Sequence, residues 1–180
     1  MARRKNNKQR TVAETTLLVV GEGADDKAFI THMKGLFYQR QPGQKGPKIE
    51  AGDGGSADVI ITNSLRTYRN TAYNRKLLVL DSDLPPSSVK AKKAAEAGFG
   101  IILWSPECLE GALLDVLEES VNVHETSQNL KVRLHPLLSG SHTDSKAYAK
   151  LFPRPVLEKS RNDSVNQVRD MLQGKKDASR

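Results

Sequence analysis

The sequence predicts an α/β protein: a four-stranded parallel sheet with helices on both faces and a small helical C-terminal extension. Three observations predict it. Short apolar runs at residues 17–20, 77–80 and 99–104 have the length of buried strands and are bounded by glycine or acid. Each is followed by a segment whose apolar residues recur at helical spacing, and strand and helix alternate four times before residue 120. Two of the strands end in carboxylates: Glu22 between two glycines, and Asp81 with Asp83.

In chain order, the first strand is expected at 15–21 and a helix at 25–40, with Ala28, Phe29, Met33, Leu36 and Phe37 on one side. The breaker-rich loop Gln41-Pro42-Gly43-Gln44-Lys45-Gly46-Pro47 leads to a brief strand at 48–51. After Gly52-Asp53-Gly54-Gly55-Ser56 a helix at 57–70 presents Ile61, Leu65 and Tyr68. The third strand is 76–81; Pro85 and Pro86 then precede an alanine- and lysine-rich helix at 87–97, and Gly98 opens the fourth strand, 99–104. Ser105-Pro106-Glu107 reads as a helix start, with Ser as cap, Pro in the first turn and an acid at the positive end of the dipole. That helix is expected to run to Glu119. Beyond residue 120 the rhythm is lost, and two further helices are expected at 143–152 and 163–173, separated by Phe152-Pro153-Arg154-Pro155. The chain thus divides into a basic tail (1–13), an α/β domain (14–120) and a C-terminal extension (121–180).

With 37% apolar and 27% charged residues, the composition is that of a globular protein with a proper core. The net charge of +7 sits at the ends: Arg3, Arg4, Lys5, Lys8 and Arg10 carry +5, the last six residues carry +2, and the rest balances. Such tails are solvated arms that can also meet phosphates, so the five N-terminal cations are candidate nucleic-acid contacts. Cys108 is the only cysteine, which excludes an intramolecular disulfide. No window approaches the roughly 18 apolar residues of a membrane span, and Gly21-Glu22 cuts the first apolar run short of a signal peptide. A cytoplasmic location without membrane contact is expected.

The carboxylates carry the chemistry. Asp81 and Asp83, at positions i and i+2 of a strand end, point to the same side and can reach one cation. Mg²⁺ prefers hard oxygen ligands and keeps several waters, so two or three carboxylates suffice; Asp-Ser-Asp before Leu-Pro-Pro is also good turn chemistry. Glu22 at a second strand end favours the metal. The loop at 52–56 has neither the Lys-Ser/Thr ending of a P-loop nor a dinucleotide fingerprint, and reads as a tight connection. His32, His124, His135 and His142 lack zinc-ligand spacing with one another or with Cys108. Lys146, in Ser141-His142-Thr143-Asp144-Ser145-Lys146, is a candidate cation for the acidic site or simply an exposed lysine.

A buried strand ending in Glu22-Gly23 with Asp25 and Asp26 just after, glycines at 52, 54 and 55, and Asp81-x-Asp83 at a later strand resembles the Toprim domain of topoisomerases, bacterial primases and OLD-family nucleases. Within that superfamily the chain looks most like the stand-alone RloB-like proteins associated with phage defence; Pro106, Cys108 and Glu110 are similar to their Pro-x-Cys-x-Glu-like helix start. The resemblance covers residues 15–120. It implies Mg²⁺ (or Mn²⁺) held by Asp81 and Asp83, Glu22 as a further ligand or general acid/base, and Glu110 as an additional acid. The expected function is metal-dependent hydrolysis of DNA or RNA phosphodiesters. Two other readings stand beside it: a non-catalytic regulatory module working with a partner protein, and a receiver- or flavodoxin-like phosphate-handling domain.

Overall fold

The computed structural model describes residues 17–40, 42, 45–122 and 124–175. The cations Arg3, Arg4, Lys5, Lys8 and Arg10 lie outside the described residues. Strands β1 (Leu17–Gly21), β2 (Lys48–Ala51), β3 (Arg75–Asp81) and β4 (Phe99–Trp104) form one parallel sheet in the order β2-β1-β3-β4. Helices α1 (Ala24–Phe37), α2 (Ala57–Tyr68), α3 (Ser88–Glu96) and α4 (Leu109–Val116) follow the strands in turn. Because strands buried on both faces need no polar alternation, β1 and β3 read as continuous apolar runs.

Their side chains nonetheless divide between two cores. Leu18, Val20, Leu78 and Leu80 pack with Ala57, Ile60, Ile61 and Ala94 of α2 and α3. Leu17, Val19, Leu77, Val79, Ile102 and Trp104 face the other way, onto Phe29 and Met33 of α1 and Leu113 of α4. That second core also takes in the C-terminal third: Leu130 and Leu134 of α5 (Ser127–Leu134), Leu157 of α6 (Arg154–Lys159), Val165 and Val168 of α7 (Asp163–Leu172), and Phe152. The extension therefore shares the core of the sheet.

The structure corrects five local expectations. Ser105-Pro106-Glu107 does not open a helix; α4 starts at Leu109 with Cys108 as cap. Glu107 has φ 61°, outside helical space, and its carbonyl accepts the backbone N–H groups of Ser82 (2.8 Å) and Asp83 (2.9 Å). The same helix ends at Val116, short of residue 119, with Glu118 at φ 61°. In place of a helix over 143–152 there is one 3₁₀ turn, Ser145–Tyr148, because Asp144 caps it through the Lys146 N–H (2.9 Å) and Pro153 follows closely. Segment 127–134, where no helix was expected, is α5, and the proline-rich stretch expected as a separator is the start of α6.

The strand order has a functional consequence. From β1 the chain crosses to β2 on one side, and β3 and β4 lie on the other, so connections diverge between β1 and β3. In open parallel sheets the crevice beyond the carboxyl ends at such a divergence is where ligands bind. Glu22 follows the last residue of β1 and Asp81 is the last of β3, so both flank it.

Candidate functional site

At that crevice lies a cleft of about 200 Å³ whose lining includes Glu22, Asp25, Asp26, Asp81, Glu110 and Lys131. Each side chain is placed by a separate local device. Glu22 Oε2 accepts the Asp81 backbone N–H (3.0 Å), which ties the end of β1 to the end of β3 one step past the last sheet pair. Asp81 Oδ1 accepts the N–H of Leu109 (3.2 Å), the first residue of α4, a contact that also suits the dipole of that helix. Among the described residues, Glu22 Oε1 and Asp81 Oδ2 accept no hydrogen bond, and both remain available to a ligand.

Asp26 is buried and fully engaged. Its Oδ2 accepts the Gly23 N–H (2.9 Å) and its Oδ1 the indole Nε1–H of Trp104 (2.6 Å), across 78 residues of sequence. Gly21 makes room for it: a Cβ there would lie 2.3 Å from the Asp26 Cβ. Glu110, also buried, projects from the first turn of α4 and meets His135 Nε2 at 2.9 Å. Gly111 lets the preceding loop fold onto α4, since a Cβ at this position would lie 2.1 Å from the Pro106 carbonyl oxygen.

Burial beside the sheet edge, reinforced by neighbouring charge, raises the proton affinity of Glu22, Asp26 and Asp81. Burial, followed by the charges of Asp26, Glu22, Glu110 and Asp83, pushes the Asp81 carboxyl up to about 8. Burial also lifts Asp26 to about 7, against the pull of its Gly23 and Trp104 donors. Glu22 is raised by burial, partly offset by the Asp81 N–H. Burial works against the charge of Lys131, yet Glu110, Asp25 and Asp81 outweigh it and hold the ammonium above the ordinary lysine range. Cys108, with its thiol pushed up to about 12 chiefly by burial, stays protonated and packs in the core.

The residues singled out from sequence are thus distributed unevenly. Glu22, Asp81 and Glu110 line one cleft. Asp83 is exposed at its rim, with Oδ1 on the Leu84 N–H (2.7 Å) and Oδ2 on the Ser127 hydroxyl. Lys146 is exposed on the 3₁₀ turn and does not line the cleft; the lysine that does is Lys131 of α5. Sequence reasoning missed Asp26 as a buried acid, and missed Lys131, because α5 was unrecognised. Thr126, whose hydroxyl caps α5, together with Leu130 and Leu134 four apart, was the available signal.

Among the described residues, one group of three has all its potential ligand atoms within 4.8 Å of one another: Asp25, His135 and His142, beside the cleft. Glu22, Asp81 and Asp83 are not such a group. Comparison of the chain with protein-family models, with curated proteins and with solved structures found no match.

Proposed function

We propose that the chain is a Toprim-type, Mg²⁺-dependent phosphodiesterase acting on DNA or RNA. One observation carries the reading: two carboxylates with uncommitted oxygens, Glu22 and Asp81, flank the divergence of a parallel sheet with Glu110 and Lys131 in the same cleft. The donor set fits Mg²⁺. It is all hard oxygen, and an ion that keeps several waters does not require carboxylates in mutual contact.

Asp81 and Glu110 would hold the ion, joined by Asp83 once its contact with Ser127 is released. A bound divalent cation supplies a more acidic water and charge for the phosphoryl oxygens. Glu22, on a glycine-flanked turn, orients the attacking water and takes its proton at Oε1. Lys131 turns its ammonium toward the non-bridging oxygens of the phosphate, which the surrounding acids would otherwise repel. Asp26 does not touch substrate; held by Trp104, it fixes the turn that carries Glu22 and Gly23.

The test is cleavage of mixed single- and double-stranded DNA and RNA across an Mg²⁺ and Mn²⁺ titration, with chelator as control. Metal-dependent cleavage by the wild type that Asp81→Asn abolishes supports the reading. A wild type that binds but cuts nothing on any substrate puts the non-catalytic module in its place.

A further inference from the structure

The acidic cleft does not account for the histidines next to it. His135 follows α5 and His142 lies in the loop before the 3₁₀ turn, 117 residues from Asp25 in sequence. Their rings nonetheless stack with centroids 4.2 Å apart and planes 5° from parallel, and both present a nitrogen to Asp25. His142 Nδ1 is 2.6 Å from Asp25 Oδ1, and His135 Nε2 is 3.9 Å from Asp25 Oδ2. His135 Nε2 is also 2.9 Å from Glu110 Oε1.

We propose that Asp25, His135 and His142 form a three-residue site for a borderline divalent transition metal of the Zn²⁺ class, with water completing its coordination. Ligand atoms about 2.0–2.1 Å from a tetrahedral ion are separated from each other by about 3.4 Å. The Asp25 contacts of 2.6 Å to His142 and 3.9 Å to His135 lie either side of that spacing, and all three residues offer ligand atoms within 4.8 Å of one another, so an ion would enter with small side-chain adjustments. Imidazole nitrogen with carboxylate oxygen suits Zn²⁺ and its neighbours, whereas the all-oxygen set at Asp81 and Glu110 suits Mg²⁺. The two sites are thus chemically distinct, and this one does not depend on the phosphodiesterase reading.

The surroundings support a held site. The buried Tyr148 donates its hydroxyl hydrogen to the His142 carbonyl (2.7 Å) and anchors the loop. The His142 side chain is 42% exposed, which leaves an entry path. An ion there would join the first turn of α1 to the end of α5 and the following loop, fastening the C-terminal third to the sheet.

The experiment titrates the full chain with Co²⁺, read by its visible absorption, and with Zn²⁺, read by melting temperature. The wild type takes up one equivalent of Co²⁺ with bands typical of low coordination, and Zn²⁺ raises its melting temperature in proportion to occupancy. His142→Asn, at a half-buried position, and His135→Gln lose both signals while keeping the wild-type circular dichroism. Asp81→Asn keeps both. Three results overturn the proposal: no Co²⁺ uptake by the wild type, undiminished uptake by both histidine variants, or loss of uptake in Asp81→Asn. The last would place the ion in the acidic cleft.

Discussion

Replacing Asp81 by Asn should stabilise the metal-free protein, by an amount that grows as pH rises above about 4 and levels off above about 8. In the unfolded chain this carboxyl loses its proton near 3.8; in the fold it keeps it until about 8. Between those values the folded state binds more protons than the unfolded, so stability falls as pH rises. The contribution is complete below the unfolded value and gone above the folded one. The interval is roughly four units, a ceiling of about 5–6 kcal/mol at about 1.36 kcal/mol per unit. Asp81 is partly exposed, and solvent screening brings the expectation down to about 2–3 kcal/mol. Asn has no proton to lose and can still accept the Leu109 N–H, so the variant avoids the decline. In a chain of 180 residues this corresponds to a melting temperature about 5–10 °C above wild type at pH 8.5, converging with it at pH 4. The assay is thermal unfolding in chelator from pH 4 to 9, repeated with Mg²⁺, which should raise the wild type and leave the variant unmoved. Parallel pH profiles for the two proteins in chelator would refute the argument that the cleft strains this carboxylate.

Glu22→Gln should lower the rate of phosphodiester cleavage by about 10²–10⁴ without rescue by excess Mg²⁺, as removal of a general base does; rescue would make Glu22 a metal ligand instead. Trp104→Phe should cost about 1–3 kcal/mol beyond its lost volume, by leaving Asp26 Oδ1 without its donor in the core, and in urea unfolding Asp26→Asn should be less than additive with it. Gly111→Ala should cost about 1–3 kcal/mol by forcing the Pro106 carbonyl off α4, with slower cleavage, since the next carbonyl in that loop holds Ser82 and Asp83. Deleting residues 1–10 should flatten the salt dependence of nucleic-acid binding, because five cations are removed, while turnover of bound substrate stays within about twofold; an equal loss of turnover would place the tail in the site.

The sheet was legible because buried parallel strands are nearly pure apolar runs, and the acids at two of their ends stood out against them. The site was legible only as far as it depended on those ends. Asp26 read as one more acid in a first turn; that it lies in the core depends on Trp104, 78 residues away, and no local pattern carries that pairing. Lys131 and His135 went unplaced because α5 buries only Leu130 and Leu134, a stripe too thin to set a polar segment apart from a loop. Ser105-Pro106-Glu107 has the residues of a helix start, yet its backbone serves the loop after β3 through the Glu107 carbonyl. Local preference and tertiary demand conflict there, and tertiary demand prevails.

The two sides of the sheet also have different histories during synthesis. The side covered by α2 and α3 is built from residues between Leu18 and Leu103, and can close as soon as β4 has emerged. The opposite side waits for Phe152, Leu157, Val165 and Leu172, and until then the core that holds Phe29, Met33 and Trp104 is incomplete. At roughly 5–20 residues per second, the interval from Trp104 to Leu172 is about 3–14 s. A nascent chain therefore carries a sheet covered on one side only through more than a third of its elongation, a surface for chaperones to hold. The segments bearing Lys131, His135 and His142 are made in that same interval, so a chain still short of them has its strand-end carboxylates but not the cation and imidazoles beside them.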